Sequence, residues 1–119
     1  MESKIGSCFL GRTLELTNGK IIVGVTLDVG PRIIKLQKVG GENLMFEDVD
    51  DAVNKDVSAV YGKGKQWHIY GGHRMWLSPE TLATYYPDNN PVISELTTDG
   101  AVFTPPAWTE RGVQPVLRL

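Results

Sequence analysis

An Asn-Gly pair at Asn18-Gly19 constrains the fold of this chain more than any other feature of its sequence. It separates two runs, RTLELT and KIIVGVTL, in which apolar and polar residues largely alternate, and such a pair between such runs is the strongest short-range signal for a β-hairpin. A two-residue turn places Leu16 opposite Ile21. We therefore predict one buried face and one mostly solvated face. The predicted buried face comprises Leu14, Leu16, Ile21, Val23 and Val25, and the opposite face Glu15, Thr17, Lys20 and Ile22.

The rest of the chain carries signals of the same kind. Asp99-Gly100 separates PVISELTT from AVFTPPAW and predicts a second hairpin, and the tail GVQPVLRL can begin a further strand. Gly30-Pro31 and Gly40-Gly41 divide the middle of the chain into short apolar runs, IIKLQK and NLMF, which predict a meander of strands. Residues 48–66 are polar and lack periodicity, so we predict a long loop with at most one helical turn.

No segment has the periodicity of a helix of three or more turns. The predicted fold class is therefore all-β, an antiparallel β-sandwich. The 119 residues suffice for one small hydrophobic core, and we predict that residues 1–119 form a single domain.

Composition argues against several classes of partner and cofactor. A net charge of -2 gives little support to nucleic-acid binding, and a single cysteine, Cys8, cannot form an internal disulfide or a cysteine-rich zinc site. His68 and His73 are five residues apart, which is not a helical ligand spacing, and no cysteine cluster supports them. The run EDVDD lacks the glycine and the spacing of a calcium loop, so we predict neither metal nor other cofactor. The sequence has no apolar segment of membrane-spanning or signal-peptide type, which predicts a cytoplasmic protein without a membrane partner.

The segment YGGHRMWLSPE, Tyr70 to Glu80, gathers a titratable ring, a fixed cation, an indole and a carboxylate behind two glycines. Neighbouring side chains on a strand point to opposite faces, so His73 and Arg74 share a site only if Gly71-Gly72 breaks the pleat. In that case His73 acts as an acid or donor and Arg74 holds ligand oxygens. The alternative is a hydrogen-bonded histidine and a surface arginine, without a site.

Aromatic residues are concentrated around this segment. Their rings suit the flat C–H faces of sugars, but an aromatic core needs the same residues. Asp88 in the run PDNNP offers a carboxylate to a ligand, although Asp and Asn also bond their own backbone in turns. The sequence leaves these alternatives open. The aromatic residues are Trp67, Tyr70, Trp76, Tyr85 and Tyr86.

Four stretches together resemble the galactose mutarotase-like (aldose 1-epimerase-like) superfamily, and most closely an uncharacterised branch of it: LELTNGKIIVGVTLDVGPRIIKL, GGENLMFE, YGGHRMWLSPE and YYPDNNPV. The resemblance covers most of the chain. It implies an antiparallel β-supersandwich that binds carbohydrates, with Tyr70 to Glu80 as one wall of the sugar groove. The residues that it implies for substrate binding are Tyr70, His73, Arg74, Trp76, Glu80 and Asp88, with His73 as the candidate catalytic residue.

The resemblance also implies a limit on activity. In mutarotases, a carboxylate base from the later half of the domain deprotonates the anomeric hydroxyl, and a histidine acid protonates the ring oxygen. This chain resembles the N-terminal half of such a domain, without that later glutamate and without the Asn-His signature of the acid. The expectation is a carbohydrate-binding domain that is an isomerase when complete and inactive at this length.

Two other functions fit the same residues. The chain ends in a strand-like segment without a closing partner, so it can complete its sheet by forming a homodimer, which is a structural role without a ligand. It can also be an accessory module of a sugar-modifying lyase or hydrolase, which requires a partner domain.

Overall fold

In a computed structural model of all 119 residues, nine strands form three antiparallel sheets, which confirms the all-β class. The first sheet contains β1 (Glu2–Cys8), β2 (Gly11–Thr17), β3 (Ile21–Thr26) and β4 (Ile33–Lys38), in that order. The second contains β5 (Asn54–Asp56) and β6 (Gln66–His68), and the third β7 (Ile93–Leu96), β8 (Ala101–Thr104) and β9 (Leu117–Arg118). The helical elements are α1 (Ser58–Tyr61) and two 3₁₀ turns, Leu82–Thr84 and Thr109–Arg111.

The hydrophobic core lies between the first sheet and the third. Side chains of β2 and β3 that were predicted to be buried contact side chains of β8, among them the fully buried Phe103. One core therefore joins the two predicted hairpins, while a closed sandwich stays a prediction. The core residues are Leu14, Leu16, Val25, Leu27, Val92, Ala101 and Phe103.

The Asn18-Gly19 hairpin forms, but the predicted register is wrong by two residues. Leu16 lies opposite Val23 instead of Ile21. The Asn18 side chain accepts two backbone N–H groups, at 2.9 and 3.0 Å, and thereby stabilises a longer turn. A shift of two residues keeps every side chain on its face, so the buried face survives although Ile21 loses its partner on β2 and is exposed.

The face of the first sheet that points away from the core is less solvated than predicted, because Glu15 is buried there. Its carboxylate accepts a hydrogen bond from the Lys35 ammonium at 3.2 Å. Gly6 and Gly24 lie on the flanking strands, and a Cβ on Gly6 would overlap the Glu15 carboxylate. Glu15 can lie over β1 because Gly6 has no side chain, a relation between two strands that the pattern of a single strand does not contain.

The apolar run Asn43 to Phe46 does not form the strand that the meander pattern predicted. The Asn43 side chain accepts the N–H of Leu36 at 3.0 Å and donates to the carbonyl of Ile34 at 2.9 Å. The Asn43 side chain, with the backbone N–H of Leu44 that donates to the carbonyl of Leu36 at 2.9 Å, therefore covers this part of the outer edge of β4 in place of another strand. The apolar side chains of the run stay largely in solvent, with Leu44 and Phe46 exposed.

The segment 48–66 was predicted to be a long loop with at most one helical turn; it contains one such turn, α1, and also a strand that was not predicted. That strand, β5, pairs with β6 and places Lys55 opposite Trp67. The Asp48 carboxylate accepts two backbone N–H groups at 3.0 Å at the start of the segment. Trp67 of this small sheet is buried and lies against Arg74 and Trp76, which follow the glycine pair.

The second predicted hairpin forms between β7 and β8, with Leu96 opposite Ala101. The tail forms β9, which pairs with β8 through Leu117 and Arg118. The predicted hairpin and the predicted tail strand are therefore confirmed. The sequence could show the hairpin because its turn residues and the alternation of the flanking runs lie within a few residues of each other.

Candidate functional site

The two glycines of YGGHRMWLSPE lie between two other stretches of backbone. On one side, Gly72 donates its N–H to the carbonyl of Phe46 at 2.9 Å, and on the other His73 exchanges two backbone hydrogen bonds with Ile33, at 2.9 and 3.0 Å. Both glycines have positive φ, 116° at Gly71 and 63° at Gly72. A Cβ at either position would overlap a carbonyl oxygen, that of Phe46 or of Ile33. The glycines therefore allow a close approach between segments of this chain itself.

After the glycines, His73 and Arg74 enter different environments. His73 is exposed, and its side chain makes no hydrogen bond or ion pair. Arg74 is 6% exposed, donates to two backbone carbonyls at 3.2 and 3.4 Å, and leaves Nη1 without a partner. Burial lowers the pKa of Arg74 to about 10, with Asp88 opposing the shift and the positive charge of Arg32 adding to it.

Aromatic rings surround the Arg74 guanidinium. Its central carbon lies 3.7 Å from the ring centroid of Trp76 and 5.3 Å from that of Trp67, within the range of cation–π contacts. Tyr85 packs edge-on against both indoles, with centroid distances of 4.9 Å to Trp67 and 5.4 Å to Trp76. We call these four side chains the Trp76 platform. Trp67 is buried and Trp76 is 49% exposed, so the platform presents one indole to solvent on a packed base.

A hollow of about 320 Å³ opens beside the platform and is lined by Trp76, Leu77, Ser78 and Glu80. The Glu80 carboxylate accepts a hydrogen bond from the Tyr85 hydroxyl, and this bond raises the pKa of Tyr85. The other carboxylate oxygen and the Ser78 hydroxyl make no bond within the protein and remain at the rim. The hollow therefore combines an apolar ring with groups that bond hydroxyls, which suits a small polyhydroxylated ligand.

A second charged group is fully internal. Arg32 and Asp88 form an ion pair whose side chains are 1% and 4% exposed, and Nη2 of Arg32 meets Oδ1 of Asp88 at 2.9 Å. The same Nη2 donates to the carbonyl of His68 at 3.2 Å. The Tyr70 ring lies 5.3 Å from the Arg32 guanidinium, and its hydroxyl donates to Oδ1 of Asn89 at 2.6 Å. The Asp88 carboxylate thus neutralises an internal cation.

Tyr70 leads to a pH-dependent prediction. Burial, with the negative charge of Asp88 second, raises the pKa of Tyr70 from 10.0 to about 12. Between these values the unfolded chain has released a proton that the folded chain keeps, so stability falls as pH rises through the window. We expect the unfolding free energy of Tyr70→Phe, measured by urea denaturation, to fall less steeply with rising pH than that of wild type, from about pH 10 to about pH 11. Unfolding near neutral pH serves as the reference, and equal slopes for both proteins would contradict the prediction.

The six residues implied in substrate binding separate into three groups. One group forms or borders the hollow, one surrounds the internal ion pair, and one residue does neither. The first group is Arg74, Trp76 and Glu80, the second is Tyr70 and Asp88, and the third is His73 alone.

Sequence reasoning missed two residues of this region, Arg32 and Lys55. A signal for Arg32 was present, because a lone cation between Pro31 and two isoleucines is set in an apolar stretch, and a buried cation needs a partner. The Lys55 ammonium lies 4.8 Å from the ring centroid of Tyr85. No local pattern indicates that contact, because it depends on the pairing of β5 with β6.

The other hollow of similar volume offers fewer features of a ligand site. A hollow of about 340 Å³ lies on the outer face of the first sheet beside Lys4 and Glu15, and no aromatic residue lines it. No group of three or more His, Cys, Asp or Glu side chains is placed to hold a metal ion. None of the helices has the length and apolar character to cross a membrane. The Trp76 hollow is therefore the candidate site.

Comparisons with protein-family models, with curated proteins and with solved structures find no match to this chain. The resemblance to the mutarotase-like superfamily accordingly stays a prediction.

Proposed function

We propose that this protein is a carbohydrate-binding, mutarotase-like domain that holds a sugar in the Trp76 hollow. The observation that carries the proposal is the half-exposed Trp76 indole, backed by the Arg74 guanidinium and flanked by the Glu80 carboxylate. A sugar ring has an apolar C–H face and a hydroxyl edge. The indole matches the face, and Glu80 and Ser78 match the edge.

Contacts within the chain hold the side chains of the Trp76 platform in place. Arg74 lies against one face of Trp76, and Tyr85 packs against the same indole edge-on. The Tyr85 hydroxyl also holds the Glu80 carboxylate. A ligand therefore has few side chains to immobilise, which lowers the entropic cost of binding.

The proposal concerns binding. Interconversion of sugar anomers needs an acid and a base on either side of the ring, and Glu80 is the one ionisable side chain among the four that line the hollow. An aldose 1-epimerase-like activity requires a second such group, which the sequence resemblance assigns to a later part of the domain.

Replacing Trp76 should remove most of the affinity for a sugar. We expect Trp76→Ala to weaken binding at least about tenfold, because the ligand loses its stacking surface. Titration calorimetry against a panel of free hexoses and pentoses measures the change. Phe46→Ala is the matched control, since Phe46 is an exposed ring that does not line the hollow and should leave affinity unchanged. A wild-type protein that binds none of the sugars, or equal affinities for Trp76→Ala and wild type, would refute the proposal.

A second variant, His73→Ala, locates the bound sugar. The resemblance assigns His73 to the sugar groove, whereas its side chain does not line the Trp76 hollow. Wild-type affinity in His73→Ala would support the hollow as the site. Loss of binding with an unchanged circular dichroism spectrum would move the site to His73 and contradict the proposed location.

A further inference from the structure

The two edges of the first sheet differ in how their backbone groups are satisfied. At the β4 edge, the Asn43 side chain bonds Leu36 and Ile34, and His73 pairs with Ile33. At the opposite edge, β1 pairs with β2 alone, and no other segment of the chain bridges to it. An uncovered edge presents a row of free N–H and C=O groups that can accept another strand.

The side chains of β1 are arranged in two exposed rows. Ser3 and Ile5 lie opposite Leu16 and Leu14, so the odd-numbered residues share the face of the core. Ile5 is 61% exposed, and Met1 at the start of this row is 55% exposed. Glu2 and Lys4 lie on the other face, two residues apart. The edge therefore carries one apolar row and one row with a single charge of each sign.

We propose that β1 pairs antiparallel with β1 of a second copy of this chain, about a two-fold axis through Ser3. A two-fold axis perpendicular to the sheet keeps each side chain on its face, so only residues of equal parity can lie opposite each other. With the axis at Ser3, Glu2 of each copy faces Lys4 of the other, and Met1 faces Ile5. Both rows are then complementary, and two four-stranded sheets become one eight-stranded sheet.

The neighbouring registers lack this complementarity. An axis at Lys4 would set two ammonium groups directly opposite each other, which is unfavourable. An axis at Ile5 would place Lys4 opposite Gly6 and Glu2 opposite Cys8, so neither charge would meet its opposite. The charges of β1 therefore select the Ser3 register.

The two edges of the third sheet are poorer templates for a second copy. The β7 edge carries one charged residue, Glu95, and self-pairing centred on it would oppose two carboxylates. The β9 strand has two residues, Leu117 and Arg118, which is too short for a paired edge. The β1 interface is also independent of the sugar site, because none of its residues lines the Trp76 hollow.

Sedimentation velocity across a range of protein concentrations tests the interface. We expect wild type to pass from monomer to dimer, and Lys4→Glu to lower the association constant at least about tenfold, because Glu2 then faces a carboxylate. The charge-swapped double variant Glu2→Lys/Lys4→Glu should regain wild-type association. Lys20→Glu is the control, since it makes the same change of charge in the hairpin turn and should not affect association. A wild type that stays monomeric, or a swap that does not restore association, would overturn the proposal.

Crosslinking distinguishes the registers. In a Cys8→Ser background, Ser3→Cys places two thiols beside the proposed axis, so mild oxidation should give a disulfide-linked dimer. Ile5→Cys in the same background should crosslink much less, because Ile5 faces Met1 of the other copy. A dimer linked through Ile5→Cys and not through Ser3→Cys would show that the proposed register is wrong.

Discussion

Replacing Asp88 by Asn is expected to lower the free energy of unfolding by about 3–5 kcal/mol. The substitution keeps the shape of the side chain but leaves Arg32, which is 1% exposed, as an uncompensated internal cation. A loss of this size is a large share of the stability of a small domain. Urea denaturation followed by circular dichroism at low temperature measures it.

Two further variants show whether the lost charge is the cause. Asp28→Asn breaks the Arg12–Asp28 pair, which lies at the surface with side chains 61% and 35% exposed, and should shift the urea midpoint far less. Arg32→Met combined with Asp88→Asn removes both charges and should cost less than the sum of the two single changes. A wild-type midpoint for Asp88→Asn would show that the carboxylate does not support the fold and is free for a ligand, as the sequence resemblance implied.

Replacing Gly72 by Ala is expected to destabilise the protein by about 3 kcal/mol. Part of the loss comes from φ of 63°, which an alanine adopts only with strain, and part from the overlap of the new Cβ with the carbonyl oxygen of Ile33. The overlap should also weaken the backbone hydrogen bonds between His73 and Ile33, which hold the segment that leads to Arg74 and Trp76. Urea denaturation measures the stability, and sugar titration the effect on the Trp76 hollow.

Gly40→Ala is the matched control for backbone strain. Gly40 also has a positive φ, 77°, but no atom lies within 4 Å of the position that a Cβ would take. Its substitution should cost about 1 kcal/mol, from strain alone. The difference between the two variants therefore measures the overlap at Gly72. Equal losses would show that the segment relaxes away from Ile33 and that the bridge is not a tight contact.

The glycine pair illustrates how much of the site could be predicted from sequence. Gly71-Gly72 indicated a possible break of the regular pleat before His73 and Arg74, and the positive φ of both glycines shows that break, but the two side chains enter different environments. What lies against the glycines is not encoded locally. The carbonyl oxygens of Phe46 and Ile33 come from distant parts of the chain, and only the pairing of three segments brings them there.

Arg74 and Asp88 show the same limit for charged residues. As charged residues in this region, both were candidates for ligand contact. In the structure, the role of each depends on the groups that surround it. Asp88 neutralises Arg32, and Arg74 is enclosed by indoles. Whether a charged residue is buried, and which residue it contacts, depends on the packing of several segments. A sequence pattern can therefore identify the candidate residues but not the role of each.

The sequence by itself determined the fold class, both hairpins and the buried face of the first one, because turn chemistry and a period of two residues act over short stretches of chain. The tertiary structure alone decided the four-residue spacing of the first turn, the burial of Glu15 beside Gly6 and the Arg32–Asp88 pair. It also decided that Trp76 is the exposed ring of its cluster while Trp67 is buried. These outcomes depend on which surfaces meet across the chain, and that is settled by packing and desolvation, not by local preference.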